Sequence, residues 1–240
     1  VLRNVSALKP LLPDLNGLGC EYIGLTGIPK PILSCDLLQH FFINGNAVSL
    51  IPSEIGRLTH LTFLGITDNY VQSLPDELFV CKNLQELLMQ YNRVRHISKS
   101  IGNLKCLRKL DISDNKLEDI PIELFSCEML QELSMCNNRL LGPQLEQLLT
   151  SIDGAAPVCP HLKVLTCSNC GLTEIPLVFL LCTHLARLDL YSNQITSIPS
   201  ELGNLKSLKE LYLYDNKIQY THSALIKCEK LEILALQNNP

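Results

Sequence analysis

The chain switches between apolar and polar positions in short bursts that return at one fixed interval. Around residue 110, Leu107, Leu110 and Ile112 are apolar while Lys109, Asp111 and Ser113 are polar. This is the period-two alternation of a short strand that buries one face. The burst is followed by Asn115, Leu117, Ile120, Pro121, Leu124 and Cys127. One interval earlier the same places hold Leu84, Leu87, Met89, Asn92, Val94 and Ile97, with Ser98 where the proline would be. Near the C-terminus they hold Leu185, Leu188, Leu190, Asn193, Ile195, Ile198, Pro199, Leu202 and Leu205. Asn46, Asn69, Asn92, Asn115 and Asn138 follow one another at 23 residues, as do Asn193, Asn216 and Asn239. A constant interval of about 20 to 29 residues with leucines in phase is the mark of a stacked solenoid.

The residue types suit that architecture. Each short strand can pair with its counterparts in the units before and after it, which predicts one parallel sheet. An asparagine buried under the turn after the strand offers an acceptor and two donors to backbone groups that lack a ladder partner. Beyond Pro121 the chain returns on the far side, and Leu124 and Cys127 close the core from there. No unit can bury its apolar face alone, so neighbours supply the missing walls.

The pattern L-x-x-L-x-L-x-x-N/C-x-L, carried by nearly the whole chain, resembles the leucine-rich repeat family. Units such as Leu74, Pro75, Leu78, Leu84, Leu87 and Ile198, Pro199, Leu202, Leu205, Leu208, Leu211 are similar to the 23-residue intracellular type of the Scribble, Erbin and Ras-linked scaffolds. The resemblance implies an α/β leucine-rich repeat solenoid. In that fold a curved horseshoe carries a parallel sheet on its concave face, with irregular, 3-10 or short helical segments on the convex one. It also implies a non-enzymatic adaptor whose concave surface holds a signalling or cytoskeletal protein. Cysteine-for-leucine exchanges and Ser98 depart from the most regular members.

Residues 1–240 read as one domain of about ten repeats, starting near Leu15, Leu38, Leu61, Leu84, Leu107, Leu130, Leu162, Leu185, Leu208 and Leu231. Leu2, Val5, Leu12 and Leu15 match Val48, Ile51, Leu58 and Leu61. Partial repeats therefore stand at both ends, as expected of a piece of a longer protein. In the unit after Asn138 the asparagine place falls to Cys170, 32 residues on, and the surplus lies within 140–161. There Leu145, Leu148, Leu149 and Ile152 recur at helical spacing after Gly142 and Pro143, before the breaker-rich run from Asp153 to Pro157. This predicts an amphipathic helix on the outer face and a protruding loop over Asp153 to Pro160. The insertion reads either as a tolerated lengthening or as a docking element.

Composition narrows the function classes. The formal net charge of −4 does not favour a nucleic acid backbone as partner, and no apolar run approaches the roughly 18 residues of a membrane span. Of the 11 cysteines, Cys35, Cys81, Cys127, Cys182 and Cys228 share one inward slot that Leu12, Leu58, Leu104 and Leu205 fill elsewhere. Where they alternate with leucine they stand two layers apart, about 10 Å at the strand spacing, beyond disulfide reach. Free thiols and a reducing, cytoplasmic location follow as expectations. Cys167 and Cys170 form a C-x-x-C on core positions without a second pair, which disfavours zinc or redox chemistry. Asn4, Val5 and Ser6 spell a lone glycosylation sequon, and His60, His161 and His184 share a turn position. No nucleophile, base and acid grouping and no phosphate loop is visible. No catalytic residue, metal ligand or cofactor is expected.

What remains is the outward side of the strands. His40, Phe42 and Phe63 form an aromatic patch near the N-terminal end, Glu86, Leu88, Asp111 and Glu132 an acidic middle, and Asp189, Tyr191, Glu210, Tyr212 and Tyr214 a tyrosine-rich C-terminal patch. Aromatic residues make up only 5% of the chain. Their gathering on a solvent-facing sheet reads as anchors for a partner protein with basic side chains. The competing reading is cross-strand packing that stabilises the sheet. Two other roles stay open: the recognition arm of a kinase, GTPase or ubiquitin ligase, and a structural subunit of a ciliary or cytoskeletal assembly.

Overall fold

A computed structural model describes residues 14–148 and 158–240. The predicted alternation becomes ten three-residue strands: β1 Gly17–Gly19, β2 His40–Phe42, β3 Phe63–Gly65, β4 Glu86–Leu88, β5 Lys109–Asp111, β6 Glu132–Ser134, β7 Val164–Thr166, β8 Arg187–Asp189, β9 Glu210–Tyr212 and β10 Ile233–Ala235. They pair in chain order as one open parallel sheet. Each strand is in register with the same place in the next unit, so Leu87 stands beside Leu110 and Leu110 beside Leu133. The long unit keeps register too, with Leu133 beside Leu165. The middle residue of each strand from Phe41 to Leu211 is buried, and these side chains form one wall of a continuous core.

The second wall is the return segment. Prolines 52, 75, 121 and 199 each sit directly before a 3-10 turn, at Ser53–Arg57, Asp76–Val80, Ile122–Ser126 and Ser200–Asn204. Their ring presets the backbone for entry into the turn. Ser98 replaces proline by a different route, since its Oγ accepts the N–H of Ser100 at 3.2 Å and caps the turn Lys99–Asn103.

The asparagines act as backbone ligands. Asn115 donates through Nδ2 to the carbonyls of Met89, Ile112 and Ser113 at 3.0, 3.1 and 3.0 Å, and its Oδ1 accepts the N–H of Val94 at 3.0 Å. Each asparagine follows a residue in the left-handed region, among them Asp114 (φ 52°) and Asp215 (φ 56°). Cys170 reproduces part of this. Its Sγ donates to the carbonyls of Met135 at 3.1 Å and Ser168 at 3.4 Å, a weaker donor in the same place.

The cysteine slot also has a hydrogen-bonding reason. The thiols of Cys81, Cys127 and Cys228 donate to the carbonyls of Ile55, Ile101 and Leu202 in the layer before, at 3.5 to 3.7 Å, which leucine could not do. All eleven cysteines are free. Burial pushes the thiols of Cys81 and Cys127 up to about 11 and that of Cys182 to about 12. Cys159 occupies the slot in the long unit, buried between Cys127 and Cys182 and within electrostatic reach of both. Here three successive layers carry cysteine, so the two-layer spacing argument does not extend to them.

In the long unit the helix α1 spans Gly142–Gln147, with Gly142 and Pro143 inside it rather than ahead of it. A side chain at position 142 would meet the Gly171 carbonyl at 2.6 Å. Leu145 and Leu148 point into the core as expected. Gln144 hydrogen-bonds the backbone of Ile120 in the preceding layer, and Glu146 accepts from the N–H and hydroxyl of Thr173 in the following one. Two polar side chains thus bolt the helix to both neighbours. Leu149, Ile152 and the run Asp153 to Pro157 lie outside the described residues, as do Leu2, Val5, Leu12 and the Asn4 sequon. Val158 and Cys159 are buried, which corrects the expectation of a loop protruding as far as Pro160.

Candidate protein-binding face

The outward side of the sheet holds all twelve candidate residues, in three groups. At the N-terminal end Phe42 and Phe63 pack with centroids 4.7 Å apart and planes tilted by 36°. Phe42 stands in register with Gly65, where a Cβ would come within 3.0 Å of Asn44 and 3.3 Å of the Phe63 ring. The glycine therefore makes room for the aromatic pair. His40 is exposed beside them, and Leu88, in register with Gly65, is half-buried.

The middle group is not simply acidic. Lys109 stands in register between Glu86 and Glu132, and its Nζ lies 2.9 Å from Glu132 Oε2. That hydrogen bond, with Glu86 and Asp111 close by, holds the lysine pKa above its ordinary value. Asp111 accepts the N–H of Ser113 at 3.0 Å. Reading the acids by strand position alone left out the lysine that the register places among them.

The C-terminal group is the most tightly built. Tyr191 and Tyr214 stack with centroids 4.7 Å apart and planes at 4°. Arg187 lies over the Tyr212 ring at 4.8 Å, with Nη2 3.2 Å from Asp189 Oδ2 and Nη1 3.4 Å from Glu210 Oε2. The Tyr212 hydroxyl donates to the same Glu210 oxygen at 3.1 Å. Asp189 is buried at 6% exposure, unlike the surface position that the alternation predicts. Burial raises its carboxyl pKa, against the opposing pull of Arg187 and the Tyr191 backbone N–H. No hydrogen bond of good geometry closes on Asp189 Oδ1.

Arg187 was absent from the sequence-based candidates, although its position in the repeat already put it on this face. A second cation–π pair, Arg93 over Tyr70 at 4.5 Å, and the rim bonds from Asn137 to Asp114 and from Asn169 to Asn137, both 2.9 Å, were also missed. Each joins residues one layer apart, so laying the units side by side would have found them. Among the described residues no group of three metal-ligating side chains occurs, and no helix is long and apolar enough to cross a membrane.

An open parallel sheet backed by 3-10 turns, with an asparagine spine beneath it, is the architecture of a leucine-rich repeat protein. The leucine-rich repeat family model matches residues 59–117, 160–218 and 183–240, more than half of the sequence, and the chain belongs to that family. No curated protein matches it. Among solved structures, the functional domain of InlJ from Listeria monocytogenes, which includes a cysteine ladder, is similar over 97% of this chain and 46% of its own, at 20% identity and a TM-score of 0.76. The leucine-rich repeat domain of the type III effector XopL is similar over 100% of this chain and 84% of its own, at 20% identity and 0.76. The PEPR1–AtPEP1 structure is similar over 96% and 36%, at 26% identity and 0.70. The chain thus spans less than half of the solved InlJ and PEPR1 chains. The two 20% likenesses speak to fold alone. Leucine-rich repeats are general protein-interaction modules, typically without catalytic activity.

Proposed function

We propose that residues 1–240 act as a single scaffold or adaptor domain that holds a partner protein on the outward side of its sheet. The observation that carries this reading is the pairing of aromatic rings at both ends of that face, Phe42 with Phe63 and Tyr191 with Tyr214. Their side chains are already held in place, so they lose little freedom on docking, and aromatic residues are favoured interface anchors. The acidic side chains between and beside them suit a partner with basic groups. Cysteines standing in buried leucine places, as Cys81 and Cys127 do, suit a reducing, cytoplasmic setting.

The test is a comparison of proteins captured from cell extract by three forms. These are the wild type, a sheet-face variant with Phe42→Ala, Phe63→Ala, Tyr191→Ala and Tyr214→Ala, and a return-face variant with Ile226→Ala, whose side chain is 81% exposed. The reading expects proteins shared by the wild type and the return-face variant to be lost from the sheet-face variant. Identical sets from all three would overturn it.

A further inference from the structure

The C-terminal group is half filled by the chain's own arginine. Arg187 shows how a guanidinium sits on this surface: over a tyrosine ring, Tyr212, with a carboxylate oxygen at each end, Asp189 Oδ2 and Glu210 Oε2. The neighbouring half shares Asp189 and adds a second pair of rings, with no cation stacked on them. Tyr191 and Tyr214 present stacked rings, and the Asp189 and Asp215 charges bear on Tyr214 against the single opposing charge of Arg187. Asp189 is the informative member, because its side chain is 9% exposed and Oδ1 is buried with no hydrogen bond of good geometry, the Tyr191 N–H being its near neighbour. A buried acceptor so poorly satisfied gains from an incoming donor. The local charge is unbalanced in the same direction, with Asp189, Glu210 and Asp215 against Arg187 alone.

We propose that the Tyr191–Tyr214 ring pair, with Asp189 and Asp215, receives an arginine side chain of the partner protein. The inference rests on the sheet-face reading above and deepens it. A guanidinium suits the place better than an ammonium, since its flat face stacks on aromatic rings while its edge donates to carboxylates. Oδ1 is shielded from water in the free protein, so docking must part the side chains that cover it.

The probe is a capped Gly-Arg-Gly tripeptide, compared with its neutral citrulline twin. Binding is followed by backbone amide NMR shifts and by tyrosine fluorescence, which no tryptophan obscures, since the chain has seven tyrosines and none of the larger residue. The arginine peptide should move the amides of Tyr191, Tyr214 and Asp215, and the citrulline peptide should bind at least about tenfold more weakly. Asp215→Asn keeps a residue that tolerates the left-handed backbone and should weaken the arginine peptide several-fold, as should Asp189→Asn. Equal response to the two peptides, or shifts centred on Glu86 to Glu132, overturns the proposal. If the tripeptide fails while the four-alanine variant still loses its captured proteins, this site falls and the sheet-face reading stands. Failure of both experiments overturns both.

Discussion

Strands β5–β6 and β8–β9 begin with the same arrangement of charge and end with different surfaces. Each has a base at the first place of one strand, Lys109 or Arg187, an acid two residues on, Asp111 or Asp189, and a glutamate in register on the next strand, Glu132 or Glu210. Two things differ: the base is a lysine in the middle and an arginine at the C-terminal end, and the residue facing the aspartate is Ser134 in the one and Tyr212 in the other. Over serine the lysine reaches only Glu132, and Asp111 stays half-buried. Beside the tyrosine the arginine lies 4.8 Å over the ring and reaches two acids, and Asp189 is buried. Lysine and serine leave a surface ion pair, where an arginine with a ring one layer away makes a partly desolvated network. Only the second kind holds its side chains in a fixed shape that a partner can meet without first ordering them.

The largest expected effect lies beneath both regions and should not distinguish them. Leu110→Asp and Leu188→Asp each replace a side chain of at most 1% exposure with an unpaired carboxylate. Each should cost about 5 kcal/mol or more and abolish cooperative melting. A normal thermal transition in either variant would mean that the common leucine wall is not what the two surfaces share. The next effect separates them. Arg187→Ala strands a buried carboxylate and should cost about 2 kcal/mol, a value kept low because the arginine itself is 42% exposed. Lys109→Ala removes an exposed pair and should cost below about 1 kcal/mol in urea unfolding. Equal losses would erase the distinction.

Much of this was legible beforehand, and the rest failed for physical reasons. The strands, their register and the asparagine spine follow from period-two alternation locked to a 23-residue interval, and the matching pairs Leu87–Leu110 and Leu110–Leu133 bear that out. The helix α1 was readable from Leu145 and Leu148, but its bolts, Gln144 and Glu146, were not. Their partners lie 24 and 27 residues away, outside any local pattern. Cys159 escaped because counting from the asparagine place fails in a lengthened unit. The burial of Asp189 escaped because alternation says which way a side chain points and nothing of what a tyrosine in the next layer does to it.

A smaller effect sharpens the comparison by converting one region into the other. Tyr212→Ser gives the C-terminal strands the serine of the middle ones. It should release the Arg187 cation–π contact at about 0.5 to 1 kcal/mol and let Asp189 regain solvent. Fluorescence from the Tyr191–Tyr214 stack should persist, since that pair does not depend on the Tyr212 ring. A lost stack would show that the three tyrosines act as one unit.

The smallest effect concerns protons. Burial raises the folded-state pKa of Asp189 above the ordinary 3.8, so between those two values the native chain holds more protons than the unfolded one. Stability contributed by this group is therefore present at low pH and declines as pH rises through that window, the reverse of an aspartate stabilised by a salt bridge. Asp189→Asn removes the titration and the cost of burying charge, so it should flatten that part of the pH–stability curve. At neutral pH it should leave the free protein no less stable than the wild type. The matching change Asp111→Asn lies on a half-buried carboxylate already satisfied by the Ser113 N–H, and should lower stability slightly by replacing a charge-assisted hydrogen bond with a neutral one. Opposite signs at the two aspartates in parallel urea titrations are the outcome that the tyrosine's cover requires; the same sign at both would mean that Asp189 gains more from Arg187 than it loses by burial.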